Sequence, residues 1–163
     1  MARWRVDGVT FLVDGDGEQI SVDSGDYTEL PLIVGDGAAD DALVIIKAMA
    51  RHEKLKSGLA ALSRIGDRRW DLIYFTGLRV RLPEQGAAQA LANLEMYQRE
   101  SALLDRDVTL IDLRVPGMVS LKPGPLAAEQ LAAEAKAGTK KKPAVKVDPD
   151  YETPAEKRAD EAQ

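Results

Sequence analysis

Polar and apolar residues alternate along this chain in two rhythms. Near the front, Arg3-Trp4-Arg5-Val6 repeats with a period of two and then meets Asp7-Gly8, a pair that tolerates the positive φ of a two-residue hairpin turn. Val9 to Val13 is the return strand, and Asp14-Gly15-Asp16-Gly17 makes the next turn. Leu30-Pro31-Leu32-Ile33-Val34-Gly35 is an apolar plug bracketed by Pro and Gly, which predicts a buried crossing rather than a helix. From Asp40 the rhythm changes. Ala42, Ile45, Ile46, Met49 and Ala50 recur at three and four, the stripe of an amphipathic helix with acids at its start.

His52 to Gly58 reads as a polar connection, and Leu59 to Ile65 as a strand, because sheet follows it. Trp70, Leu72 and Tyr74 alternate with Asp71, Ile73 and Phe75. Thr76-Gly77 turns the chain, and Leu78, Val80 and Leu82 alternate with Arg79 and Arg81, one face for the core and one for water. A second helix follows Pro83, with Ala87, Ala90, Leu91, Leu94 and Tyr97 on one side. Two last runs, Val108 to Val115 and Met118 to Leu121, meet at Pro116-Gly117. The predicted class is α+β: an antiparallel or mixed β-sheet with two amphipathic helices packed on it.

From about Leu126 large apolar residues nearly vanish, giving a domain over residues 1–125 and a charged Ala/Lys/Pro-rich tail over 126–163. AEQLAAEAKA has the makings of a frayed helical extension. The rest cannot bury enough surface to offset its ordering entropy and is expected to be disordered.

Composition narrows the function. The chain has 163 residues, room for one domain with a core, and a net charge of −5 that argues against a nucleic-acid binder. It has no cysteine, hence no disulfide and no thiolate chemistry. No run approaches the roughly 20 apolar residues of a membrane helix, and MARWRVDG lacks the apolar core of a secretion signal. The chain is therefore cytoplasmic or a piece of something longer.

Candidate chemistry is sparse. His52 follows a helix among Arg51, Glu53 and Lys54, the setting of a solvated histidine rather than a general base. No nucleophile elbow or phosphate-binding loop is present. Asp14-Gly15-Asp16-Gly17-Glu18 resembles a calcium loop, but the sharp-bend glycine is replaced by Gln19 and the bidentate glutamate by Gly25. Lys140 to Lys142 form a short basic run that solvates the tail more readily than it binds lipid. Trp4 and Trp70 read as core or half-buried sheet residues without aromatic partners at stacking spacing. No cofactor, metal or catalytic residue is expected.

The closing hairpin is different. Asp112 and Arg114 stand two apart and project from one face, Ile111 and Leu113 from the other. The simplest reading is a surface ion pair worth ~0–1 kcal/mol. Met118-Val119-Ser120-Leu121 carries no Pro and no interior charge, the usual guards of an edge strand; Lys122 and Pro123 guard only its far end. Such a strand is either covered by the chain's own helices or left open for a partner.

Several stretches in one order carry a family resemblance: ARWR…FLVDGDG, LPLIVG, RRWDLIYFTGLRVRL and LIDLRV followed by an apolar strand, over roughly residues 2–123. The combination LP-x-x-x-G, W-x-L-x-x-x-x-G and DLR resembles the C-terminal β domain of the bacterial cell-division proteins FtsQ (DivIB). The resemblance implies a non-enzymatic scaffold of the divisome, acting in septum assembly. Its parent would carry a membrane helix and a POTRA domain, both absent here, and would stand on the periplasmic side of the inner membrane.

In that family the last strand of the β domain pairs with a strand of FtsB, and through it FtsL, while the Arg of the DLR motif meets a partner acid. Carried over, the Arg is Arg114, and the partner-binding stretch is Val115, Gly117, Met118, Val119, Ser120, Leu121 and Lys122. A second contacting Arg of some relatives falls at Asp67, with Arg68 beside it as the nearest substitute. Pro116 in the turn and Lys122 at the strand end depart from the family pattern. A proline at Ser120 should remove a ladder donor, if that N–H points outward. The alternative is a small soluble enzyme or ligand-binding domain with a pocket between sheet and helices, which needs convergent polar groups in a concave site.

Overall fold

The computed structural model describes residues 1–139. Its first hairpin is the one the Asp-Gly pair predicts. β1 (Ala2–Val6) and β2 (Val9–Val13) are antiparallel, and Asp7 and Gly8 turn between them at φ 48° and 80°. Strands β3 (Gln19–Val22), β4 (Leu32–Val34), β5 (Leu59–Ile65), β6 (Arg69–Tyr74), β7 (Arg79–Arg81), β8 (Val108–Asp112) and β9 (Ser120–Pro123) complete the sheet. Its order is β3-β2-β1-β4-β5-β6-β7-β8-β9.

Three pairings are parallel: β1 with β4, β4 with β5, and β7 with β8. Parallel neighbours need a crossover, and helices supply two of the three. α1 (Ala38–Met49) and the single turn α2 (Glu53–Lys56) lead from β4 to β5; α3 (Ala87–Ser101) and a 3-10 turn, Leu103–Asp105, lead from β7 to β8. Both α1 and α3 start from a glycine in the left-handed region, Gly37 at φ 60° and Gly86 at φ 77°, where a side chain would be strained. α1, α2 and α3 pack into one core with the sheet, so the fold is α+β.

One row of side chains explains the core. Ile33, Leu62, Leu72, Val80 and Ile111 are register partners on consecutive strands β4 to β8, and none is more than 1% exposed. Ala42, Ile45 and Met49 of α1 and Leu91 and Leu94 of α3 join the same cluster. The predicted helical stripes are thus the faces that meet this row, except that Ala50, just past α1, is exposed.

Several details depart from the sequence reading. The apolar plug at Leu30–Gly35 contains β4, an interior strand. The supposed polar connection after His52 holds α2, whose Leu55 is fully buried and whose carbonyl accepts a 2.8 Å hydrogen bond from the Tyr74 hydroxyl. His52 is not freely solvated: its Nδ1 lies 2.6 Å from Glu95 Oε2 of α3. Trp4 does have an aromatic neighbour, Phe11 at 6.2 Å between centroids, and its indole N–H donates to Gly35 O at 2.9 Å. Trp70 is buried, with the Arg64 guanidinium 5.7 Å above its ring.

Asp14 makes a turn rather than a cation loop, its Oδ1 accepting from the backbone N–H groups of Asp16 and Glu18 at 2.8 and 3.0 Å. At the other end of the chain the expected helical extension lies within α4 (Pro125–Thr139). The Lys140 to Lys142 run and the remainder of the tail lie outside the described residues.

Candidate partner-docking edge

The closing hairpin starts later than its apolar pattern suggests. Met118 lies in the turn and Val119 after it, while β9 begins at Ser120. Met118 N–H donates to Val115 O at 3.1 Å across Pro116-Gly117, and Gly117 has φ 73°. Proline at the first central position and a positive-φ glycine at the second are what a type II turn requires. The turn leaves Val115 and Met118 57% and 59% exposed, while Val119 packs against the core.

β9 is the last strand of the sheet, so one of its sides is unpaired. Which groups face outward follows from three contacts. Leu113 N–H donates to Arg81 O at 2.9 Å, so odd residues of β8 point toward β7 and even ones, Leu110 and Asp112, toward β9. Their register partners are Lys122 and Ser120. Gly124 N–H donates to Asp107 O at 2.8 Å, and Thr109 Oγ1 donates to Lys122 O at 3.4 Å, in the same phase. Ser120 and Lys122 therefore spend their backbone groups on β8. Those of Leu121 point outward, flanked by Val119 on one side and Pro123 on the other, and Pro123 has no N–H to offer.

That corrects the premise at Ser120: its N–H belongs to the native ladder, and Leu121 presents the outward donor. Leu121 is also 45% exposed, and with Met118 and Val115 it makes an apolar rim along the edge.

Arg114 stands where the edge begins, and its own chain holds it. Nε lies 2.9 Å from both Asp112 oxygens, and Nη2 is 2.7 Å from Oδ2. Arg81 Nη1 approaches the same Oδ2 at 3.7 Å. Hydrogen bonding from Arg114, reinforced by the charge of Arg81, holds the Asp112 carboxyl below the usual carboxylate range, and the pairing raises Arg114 in turn. Arg68 is exposed in the β5–β6 turn. It occupies the same end of the sheet as Arg114 but lies across β6, β7 and β8 from the β9 edge, so the candidate residues form one cluster plus an outlier.

Beside the edge runs a groove of about 210 Å³ between the start of α3 and the β8–β9 turn. Gln89, Asn93 and Tyr97, four residues apart on α3, form one wall, and Leu113, Met118 and Val119 the other. Tyr97 belongs to the predicted core stripe of α3, whereas Gln89 and Asn93 lie outside it. Their i, i+4 spacing beside the apolar stripe was the available signal.

The sequence profile described as "Cell division protein FtsQ/DivIB, C-terminal" matches residues 2–114. The chain belongs to the FtsQ/DivIB family. It is 35% identical over 124 residues to the cell division protein FtsQ of Caulobacter vibrioides, covering 76% of this chain and 41% of that protein. With the Bartonella bacilliformis protein of the same name it shares 34% identity over 121 residues, 74% of this chain and 39% of the relative. Among solved structures, the major extracytoplasmic domain of the division protein DivIB from Geobacillus stearothermophilus is similar with a TM-score of 0.45 at 12% identity, covering 63% of this chain and 92% of that one.

The chain thus spans about two fifths of the length of the FtsQ relatives it matches. The profile match stops at Arg114, so the turn and β9 lie just beyond it. Among the described residues no helix is long and apolar enough to cross a membrane, and no three potential metal ligands converge.

Proposed function

We propose that this chain is a non-enzymatic docking module of the bacterial divisome, and that a strand of FtsB completes its sheet at β9, bringing FtsL with it. The observation that carries this reading is the unpaired edge: the backbone N–H and C=O of Leu121 face outward beside an apolar rim, with no covering strand among the described residues. Addition of a strand to such an edge draws affinity from main-chain bonds and selectivity from alternating side chains. On this reading the parent protein presents the domain on the periplasmic face of the inner membrane.

The energies are those of a reversible assembly. Leu121 offers an N–H and a C=O outward and Pro123 a C=O, at roughly 0.5–1.5 kcal/mol net per bond. Ordering a flexible partner costs about 2–5 kcal/mol. The difference must come from covering Val115, Met118 and Leu121 and from Arg114. Arg114 can leave Asp112 for a partner carboxylate without stranding a bare charge, since Arg81 stays beside Asp112.

The test is an NMR amide titration with the C-terminal segment of the cognate FtsB. Shifts and new amide protection should concentrate from Arg114 to Lys122, with Leu121 N–H the most protected. A folded spectrum that does not change would remove FtsB as the partner.

A further inference from the structure

Asp71 is a charged side chain only 1% exposed, yet it sits on the sheet face opposite the helices, alternating with Trp70 and Leu72. Arginines cover it. Arg69 Nε is 3.6 Å from Oδ1 and Arg79 Nη1 3.8 Å from Oδ2, distances of charge attraction rather than of hydrogen bonds. Its register partner Arg81 stands 3.7 Å from Asp112, which Arg114 has already bonded on both oxygens. Asp71 Oδ1, Arg69 Nε and Arg81 Nε are buried without a hydrogen-bond partner among the described residues.

Two guanidinium groups, those of Arg69 and Arg79, thus share the Asp71 carboxylate, and Arg81 beside them has only the Asp112 carboxylate that Arg114 already occupies. At these distances the two carboxylates gather the three arginines without taking up their hydrogen-bond donors. Their side chains are 30%, 44% and 31% exposed, so the covered charge is negative and the presented charge positive, on a chain whose total is −5.

We propose that this open face of β6 and β7 is a second docking surface, taking an extended acidic segment of a partner protein. Arg79 and Arg81 stand about 6.6–6.8 Å apart along β7, the spacing of alternate residues in an extended chain. Carboxylates at alternate positions of the guest reach both, and planar guanidinium forks suit carboxylates. Nucleic acid is disfavoured by the net negative charge of the chain. An anionic membrane is disfavoured because Asp71 and Asp112 stand among the arginines of this face and offset their charge, unlike a polybasic lipid site. The surface is separate from the outward groups of β9, so its failure and that of the strand-addition reading are distinguishable.

The experiment is an NMR titration of the full chain, following the Arg Nε–H signals, with a short peptide alternating glutamate and threonine. The same peptide with glutamine for glutamate is the control. Signals of Arg69, Arg79 and Arg81 should shift with the acidic peptide only, and less at about 300 mM salt than at about 50 mM. Arg79→Gln, chosen because Arg79 is the most exposed of the three, should weaken binding at least about fivefold in a chain whose spectrum shows it is still folded. Leu121→Pro should leave it intact. Three results would overturn the proposal: no shift in a folded spectrum, equal response to the glutamine peptide, or binding to phosphatidylglycerol vesicles without binding to the peptide.

Discussion

Arg114 closes a two-toothed bond on Asp112, two residues back on its own chain, through Nε and Nη2 at 2.7–2.9 Å. The pair sits at the end of β8 where the turn to the last strand begins, so it fixes the direction in which Arg114 faces. It also sets a pH signature. The folded pKa of Asp112 is depressed, so any stability from the pair is complete above the ordinary carboxylate pKa of about 3.9. It is lost as pH falls through the lowered value. In a carboxyl-carbon NMR titration the Asp112 midpoint should lie below that of a free aspartate, and Arg114→Ala should move it up. An unmoved midpoint would mean that Arg81 alone holds the carboxylate.

Prolines at Ser120 and Leu121 should act oppositely. Ser120→Pro removes a donor from the β8–β9 ladder and should lower the melting temperature. Leu121→Pro removes only the outward donor, so it should abolish FtsB binding and spare the fold. Paired thermal melts and titrations read both effects; a larger melt shift for Leu121→Pro would reverse the assigned phase of the strand.

Tyr74→Phe keeps the ring but orphans the buried Leu55 carbonyl. A loss of about 1–3 kcal/mol is expected in urea unfolding, with faster amide exchange in α2 and little change near β9. The hydroxyl should resist ionisation well into alkali, since burial pushes its pKa upward.

Gly35→Ala should be more damaging than its surface position suggests. Gly35 has φ 129°, and an added Cβ would stand 3.0 Å from Arg64 Cβ on β5. Its carbonyl is also the acceptor for the Trp4 indole. Strain of order 1–3 kcal/mol should appear as a lower melting temperature and a shifted Trp4 fluorescence spectrum.

Much of this architecture was legible wherever a local rule sufficed. The Asp7-Gly8 turn fixed the first hairpin, and the stripes of α1 and α3 named the faces that meet Ile33, Leu72 and Val80. The family was legible because its motifs keep their order. Signals that depend on distant neighbours were not. Helix α2 has one turn and one apolar residue, Leu55, too few to show a period. The last strand begins two residues later than its apolar pattern predicts, because Met118 and Val119 look like strand while the Pro116-Gly117 turn extends its geometry through Met118. The arginine cover of Asp71 needs the pairing of β6 with β7, and nothing in the alternation of RVR distinguishes it from a solvated face.

Pro123 gives the open edge a terminus. A guest strand that slides past Leu121 toward α4 meets an outward position without a donor, and in the other direction the chain bends away at Gly117. The edge therefore works as a ruler a few residues long: it favours short guests over long ones and one alignment over its neighbours. The same brevity keeps it from templating the endless strand-on-strand stacking that a longer bare edge invites.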